Sequence, residues 1–500
     1  MTQTDMVIQP DNPQGTAALF KAAEFPTAIN HQDEWLSWDG AAYQPIENAT
    51  IESRVAEFLQ NAKVQVYTKG ATALVPYKPK SKDIGEVYSA LKRSCHVPFN
   101  TMSPPAWLHG TPKEYERLDP RNLISFQNGL LNIETRELYS ATSFFFTRTA
   151  LAIKYDPDVP VPALWLKFLG EAMKDRQELI DLLQEWMGYK ISTDTSMQKI
   201  CFLWGRPRSG KGTILHIEAE LVGRQNVAFP KIETLAGRFG LQGLIPKSSA
   251  QVTDMNCEDQ KQLSASATNL NGISGEDGQT VERKGITDWH GKLGVRFTLA
   301  GNTLPNFRSH TGAMATRLMI VPFDVSFEGR EDRLLKPKLE AELQGIMNWA
   351  LDGLDRLRMC GEFIEPAASK SAKTRLVYQS DPIHGFIDER CTLETGAATD
   401  KSVLYAEFVR YCELMNARVP PMNSFSDKLM DSYSSIADSK RTGEDGRVPC
   451  YRGVRLNDVE AAKVYKVDQQ MLDYGCTIIE ALEHDAHGWP IVNRAYEFEA

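Results

Sequence analysis

The sequence predicts a chain of α/β class, with a parallel sheet at its centre, a helical layer before the sheet and a small helical domain after it. Three observations carry that prediction. Four short apolar runs, KICFLW, SSAQVTDM, GVRFTLAGN and RLMIVPF, fall within residues 199–325 and alternate with helical or loop segments. The first run ends in a glycine-rich loop, Gly205 to Thr213, that opens a helical pattern. Upstream, apolar residues recur at three- and four-residue spacing, at Leu164, Trp165, Phe168 and Leu169 and again at Leu179, Leu182, Leu183 and Trp186.

The 500 residues suggest roughly two to four domains. Hydrophobic residues make up 42% and charged residues 24%, an ordinary globular balance. No apolar run is long enough to span a bilayer, and Met1 to Thr16 lacks the apolar core of a signal peptide. The eight cysteines form no CxxC pair, which argues against a zinc ribbon or a disulfide framework. A reducing cytoplasm and no membrane partner are therefore expected. A net charge of −9 and a pI of about 5.6 argue against nonspecific coating of nucleic acid, but not against basic residues gathered in a narrow channel.

Along the chain, residues 1–30 are polar and expected to be a flexible tail. Residues 31–120 read as a small accessory domain with amphipathic stretches at Ile51–Ala62 and Ile84–Cys95. Lys78, Lys80 and Lys82 lie between them, as a solvated loop or a DNA contact. Residues 121–197 open with the strand-and-turn signal NLISFQNGLLNIETREL and continue as helices. Residues 198–365 hold the sheet, ending in a helix over 338–358. A linker is expected around 366–376 and a small helical domain with a terminal hairpin over 380–458, together a C-terminal domain over 366–458, followed by a tail over 459–500.

The phosphate loop is the strongest local signal. Gly205, Arg206, Pro207, Arg208, Ser209, Gly210, Lys211, Gly212 and Thr213 follow a strand and begin a helix, the context that phosphate binding requires. The glycines let backbone N–H groups turn inward on a phosphate. Lys211 supplies a cation for the β- and γ-phosphates. Gly212 stands where Ser or Thr is usual, so Thr213 is the candidate hydroxyl for Mg²⁺. GKGT also occurs in small-molecule kinases.

ATP hydrolysis needs further groups. Asp254, after the run AQVT, is the candidate magnesium carboxylate. Glu258 or Asp259 offers a second acid or a helix start. Asn302 ends its apolar strand and is placed to orient an attacking water, or else to make a turn before Pro305. Arg317 is expected to begin the last strand, as a finger into a neighbour's site or a surface ion pair. Between Asp254 and Asn302, ISGEDGQTVERKGITDWHGKLG reads as loops and a hairpin. There Arg283, Lys284 and Lys292 are candidate DNA contacts, and Trp289 and His290 could stack on bases. Trp289 serves equally as a packing anchor.

Taken in order, these segments resemble the superfamily III helicases of the phage/plasmid primase–helicase group, which includes the poxvirus primase–helicase. The resemblance covers roughly residues 120–460. NGLLNIETREL, YDPD and LLQEWMGYKISTDTSMQKICFLWG resemble that family's helical collar and phosphate loop. ISGEDGQTVERK, LAGNTLPNF and ATRLMIVPF resemble its later ATPase motifs. DPIHGFIDERC, LYAEFVRYCELMN and YRGVRLND resemble its winged-helix domain. The resemblance implies an AAA+ type P-loop ATPase between a collar and a winged helix, using ATP and Mg²⁺ in a homo-hexameric or similar ring. Lys211 and Thr213 would bind ATP–magnesium, Asp254 would be the acid, Asn302 the sensor and Arg317 the finger in trans. Single-stranded and forked DNA would be substrates, and a separate primase or polymerase a further partner.

The sequence departs from that family where Asp254 replaces a frequent Glu and Thr316 a frequent second arginine. About 120 residues precede the collar and show no paired-acid polymerase motif, so primer synthesis is not expected. Three other readings compete. An origin-binding initiator would use Lys440, Arg441, Arg447, Arg452 and Arg455 near the wing. A small-molecule phosphotransferase would use GKGT alone. A degenerate ring would bind DNA without useful turnover.

Overall fold

The computed structural model divides into two units, residues 1–373 and 374–500. It describes residues 6–68, 71–98, 102–255, 259–305, 307, 311–415, 417–443 and 446–457, and the backbone of 476–484 and 490–498. Among the described residues no helix is long and apolar enough to cross a membrane.

Residues 6–30 were expected to be a tail, but they belong to the first core. Asn12 caps the helix Pro13–Glu24 by accepting from the Gly15 N–H, and Pro13 fixes its first turn. Phe20 of this helix is fully buried, edge-on against Phe58. Its single apolar stripe is short enough to be hidden by the surrounding Thr, Gln and Asn. The helices Asn48–Asn61 and Ser81–Ser94 follow the two amphipathic stretches and complete this core around Trp35, Val55 and Leu91.

The expected boundary at residue 120 is also crossed. Ala106–Trp107 pairs with Phe145–Phe146, and Tyr115, Leu123 and Leu130 share one cluster with Phe145. Backbone pairing carries the chain past residue 120 without a linker.

Two helices then form the layer predicted from periodicity, α1 (Ala163–Met173) and α2 (Gln177–Ile191). Twelve of the fifteen residues of α2 are buried, Lys190 and Glu185 among them. The parallel sheet comes next. Its strands are β1 (Ile200–Gly205), β2 (Val227–Ala228), β3 (Ser249–Val252), β4 (Arg296–Gly301) and β5 (Leu318–Phe323). Between them lie α3 (Lys211–Val222), α4 (Gln260–Ser274) and α5 (Thr311–Arg317). Every pairing is parallel, and the strands lie side by side in the order β2-β3-β4-β1-β5. The strands are buried on both faces, which is why they read as largely apolar runs, with Gln251 and Thr298 as buried polar exceptions.

After β5 the long helix α6 (Leu343–Cys360) packs back on α2. Gly188 and Gly353 make this crossing possible. A Cβ at Gly188 would lie 2.3 Å from the Ala350 carbonyl oxygen, and one at Gly353 would lie 2.5 Å from that of Gln184. Arg356 fastens the pair from the side, 2.8 Å from the buried Glu185 carboxylate.

The expected linker at 366–376 is instead part of the helix Ala367–Ser380. Ala, Ser and Lys suit an exposed helix as well as a loop. The second unit runs helix Pro382–Arg390, strand Cys391–Asp400, helices Lys401–Leu414 and Met422–Ser432, then strands Ala437–Gly443 and Gly446–Leu456. The last strand lies between the other two. Phe386, Phe408, Phe425 and Tyr451 fill its core. Within the expected tail, Cys476–His484 and Pro490–Phe498 form an antiparallel pair.

Candidate active site

A parallel sheet directs the carboxyl ends of its strands to one edge, where the loops that follow can converge. The loop after β1 is held there by sterics. Gly205 has φ 155°, and a Cβ on it would lie 2.0 Å from the Phe323 carbonyl oxygen of β5. Gly210, at φ 95°, turns the chain into α3. Arg208, at φ 57°, presents its carbonyl to the Phe327 N–H at 2.9 Å, and the Pro207 carbonyl accepts from Ser326 Oγ at 3.3 Å. Ser209 is buried beneath the loop.

Lys211 lies folded over this loop. Its Nζ donates to the Gly205 carbonyl at 2.7 Å and the Arg206 carbonyl at 2.6 Å, and reaches Ser209 Oγ at 3.2 Å. Its fourth acceptor, also at 3.2 Å, is Oδ1 of Asn302. Burial pulls the Lys211 pKa below the ordinary lysine range. Asn302 follows β4 immediately and is exposed. The two residues named as loop cation and sensor are therefore brought together.

Gly212 is exposed, and a Cβ there would meet open space. Thr213 is half-buried, with its N–H on the Gly210 carbonyl at 2.9 Å. Asp254 is exposed two residues beyond β3, at the same edge of the sheet. A cavity of about 250 Å³ beside the loop is lined by Lys211, Gly212, Gln251 and Thr253 among others. Of the two further acids, Asp259 is the N-cap of α4, accepting from the N–H groups of Lys261 and Gln262. Glu258 lies outside the described residues.

Arg317 differs from expectation in its element. It ends α5 rather than beginning β5, and its Nη1 donates to Gln198 at 3.3 Å. Leu318 pairs with Ile200 and Phe323 with Gly205. Arg317 thus sits at the amino edge of the sheet, roughly 17 Å of strand away from the glycine-rich loop of its own chain.

The expected hairpin is present as Gln279–Arg283 and Ile286–Gly291, turning through Lys284 and Gly285. Lys284 and Lys292 are exposed. Arg283 differs from these two: its side chain is buried and engaged, with Nε donating to the Thr287 carbonyl at 2.7 Å and Nη2 to the Gln32 carbonyl at 3.2 Å. These two bonds tie the hairpin together and fasten it to the strand turn at Gln32. Gln32 also brackets His290, donating to its carbonyl at 3.2 Å and accepting its N–H at 3.3 Å. Trp289 covers Gly291 and stands opposite buried Val281, which favours packing over stacking on a base. Lys80 and Lys82 are exposed on either side of the start of Ser81–Ser94, and Lys82 faces Glu86 at 3.5 Å.

Two groups carried no motif. One is a buried polar cluster around Glu218, on α3, with Lys190, Gln251 and Thr298. A charge on the apolar face of each of two helices was its only trace. The other is His216, Glu220 and Glu340, whose donor atoms lie within 4.8 Å of one another. Both ring nitrogens of His216 are already engaged, by Glu340 at 2.6 Å and Arg224 at 2.8 Å, so these residues read as an ion network.

Comparison with known proteins finds two family matches, both within the first unit. Residues 27–174 match the family model described as D5 N terminal like. Residues 203–317, from β1 to Arg317, match a family of unknown function, DUF5906. The first match supports the resemblance to phage primase–helicases. Solved structures of the NrS-1 C-terminal region are also similar. Its A-form apo structure has a TM-score of 0.49 at 8% identity, covering 88% of this chain and 99% of that one. A second apo structure, of residues 305–718, has a TM-score of 0.48 at 10% identity, covering 89% and 99%.

Proposed function

We propose that the chain is the ATP-driven motor of a DNA helicase that replicates a phage, satellite or plasmid-like element, acting as a ring with ATP sites between subunits. The observation that carries this reading is the meeting of Lys211 and Asn302 at 3.2 Å over the carboxyl edge of the sheet. The sheet order supports it. Numbered along the chain, the strands lie 5-1-4-3-2, as in AAA+ ATPases, with the Asn302 strand between the loop strand and the Asp254 strand. A small-molecule kinase has no need of a water-orienting amide there.

In this mechanism the loop N–H groups and Lys211 bind the phosphates, and Asn302 orients the attacking water. The hydroxyl of Thr213 and the carboxylate of Asp254 are hard oxygen donors suited to Mg²⁺, which when bound would neutralise phosphate charge. Arg317 completes the site of the next subunit, since its own loop lies at the opposite edge. Lys284 and Lys292 meet the DNA backbone, while Arg283 keeps their hairpin in place.

The helix–strand–helix–helix–strand–strand order of the second unit supports a winged-helix domain. Its helix Met422–Ser432 exposes Asp427 and Asp431 beside Lys428, a poor match to a phosphate-lined groove. The initiator reading, which needs this domain to read sequence, ranks second for that reason.

The deciding experiment measures ATP hydrolysis with and without single-stranded DNA, together with unwinding of a forked duplex that contains no origin. DNA-stimulated turnover and unwinding, both abolished by Lys211→Ala, are expected. Turnover indifferent to DNA, with no unwinding, would overturn the motor reading.

A further inference from the structure

A buried carboxylate joins the elements that carry the three groups of the candidate site. Glu218 lies on α3, seven residues after Lys211, and is enclosed by α2, β3 and β4. Its Oε1 accepts from Lys190 Nζ at 2.9 Å, from the Thr298 hydroxyl at 2.7 Å and from Trp186 Nε1 at 3.0 Å. Its Oε2 accepts from Gln251 Nε2 at 3.0 Å. Thr298 in turn accepts from Lys190 at 2.8 Å, and Gln251 donates a second bond to the Leu215 carbonyl at 2.8 Å. Arg296, at the head of β4, donates to the Lys190 carbonyl at 3.1 Å.

The placement of these partners is informative. Thr298 is four residues before Asn302 on one strand, and Gln251 is three before Asp254 on its neighbour. Trp186 and Lys190 come from α2, outside the sheet. Removing a carboxylate and an ammonium from water is unfavourable, and an apolar pair of similar volume often serves stability as well. What the charged pair adds is direction. Each bond is directional, and Trp186 Nε1 bridges Glu218 and Thr298 at 3.0 Å each, so a slip of β4 or β3 against α3 breaks the set.

We propose that Glu218, held by Lys190 and Thr298, is a positioning residue that fixes the spacing of Lys211, Asn302 and Asp254 and ties that spacing to the collar helix α2. The proposal rests on the reading of the site as an ATP hydrolase. It assigns Glu218 no contact with ATP. Its effect must therefore fall on the turnover step, where geometry is most demanding, and spare the binding of the nucleotide, which the loop performs alone.

The test uses the full chain with Thr298→Val, which keeps shape and removes the central hydroxyl, and Thr298→Ser, which restores it. Three quantities are measured: kcat for ATP, the Kd of a fluorescent ATP analogue, and the melting temperature. The valine variant should lose about 10- to 100-fold in kcat with the analogue's Kd unchanged, and the serine variant should recover most of that loss. Glu218→Gln provides the same comparison should the valine variant not fold. Wild-type turnover in a folded valine variant would overturn the positioning role alone. Parallel loss of affinity and kcat, not recovered by serine, would also overturn it and leave only core packing. A wild-type chain that hydrolyses no ATP would overturn the hydrolase reading and the proposal together.

Discussion

Lys211 Nζ and Asn302 Oδ1 stand 3.2 Å apart, bridging the ends of two adjacent parallel strands. The register explains the meeting. Trp204 pairs with Gly301, so the loop and Asn302 leave the sheet at the same level. Phosphate oxygens would replace the acceptors that Lys211 now uses, freeing the amide to hold a water. Asn302→Ala should therefore lower ATP turnover by about 100-fold while nucleotide binding stays close to wild type. Kinetics paired with a binding titration check this. A variant that binds ATP weakly but turns it over normally would remove Asn302 from the hydrolytic step.

Arg317 cannot serve the loop of its own chain, because a full strand separates them. Arg317→Ala should then be nearly inactive alone, with a loss of up to about 10³-fold. Lys211→Ala should be inactive as well. Mixing the two allows some interfaces to pair an intact loop with an intact arginine, and partial recovery of turnover is expected. A mixture no more active than its components would argue against a shared site. Full activity of Arg317→Ala alone would argue the same.

The hairpin residues should separate by role. Lys284 and Lys292 are exposed, so replacing either by Ala should leave the melting temperature unchanged. Each change should make the log–log salt dependence of single-stranded DNA binding shallower by about 0.7. Arg283→Ala should instead destabilise the fold by about 1 kcal/mol or more, since it removes the hydrogen bonds to the Thr287 and Gln32 carbonyls. Salt titrations and thermal melts on the three variants test the division. An Arg283→Ala protein of normal stability with a shallower salt slope would return Arg283 to the DNA contacts.

What the sequence made legible follows from how local each signal is. The glycine-rich loop is one contiguous segment whose glycines answer to steric demands at Phe323 and in the turn into α3, so its conformation was readable. The strands at Ile200–Gly205 and Leu318–Phe323 were readable because a strand buried on both faces is mostly apolar, whereas Ser249–Val252 carries buried Ser249 and Gln251 and gave a weaker signal. Asn302 and Arg317 were legible as ends of such strands, although α5 absorbs Arg317 and shifts its element. The carbonyl partners of Arg283 were not readable, because a basic residue in a hairpin looks alike in sequence whether it faces a phosphate or a carbonyl from residue 32. The Glu218 cluster was invisible for the same reason. Its partners lie 28 to 80 residues away in sequence, and only folding brings them together. The helix Pro13–Glu24 was missed because composition outweighed its short apolar stripe.

Acid should loosen the support of the hairpin through His31, which directly precedes Gln32. His31 is buried, edge-on to Phe146, with Nε2 3.1 Å from the Met102 carbonyl. Burial, more than any other influence, pulls its pKa below the ordinary 6.5; the Met102 carbonyl opposes this, and nearby Arg148 adds to it. The unfolded chain therefore takes up the proton first as pH falls. Stability that is present above about pH 6.5 is lost as pH drops through the lower folded value. Thermal melts at pH 7.5 and 5.5 should show a larger drop for wild type than for His31→Gln, which keeps a donor for Met102 but cannot titrate. The same pH change should weaken the bracket of Gln32 on His290, and exchange of the His290 amide should quicken more in wild type. Equal acid sensitivity of the two proteins would assign the loss to other groups and clear His31 of the role.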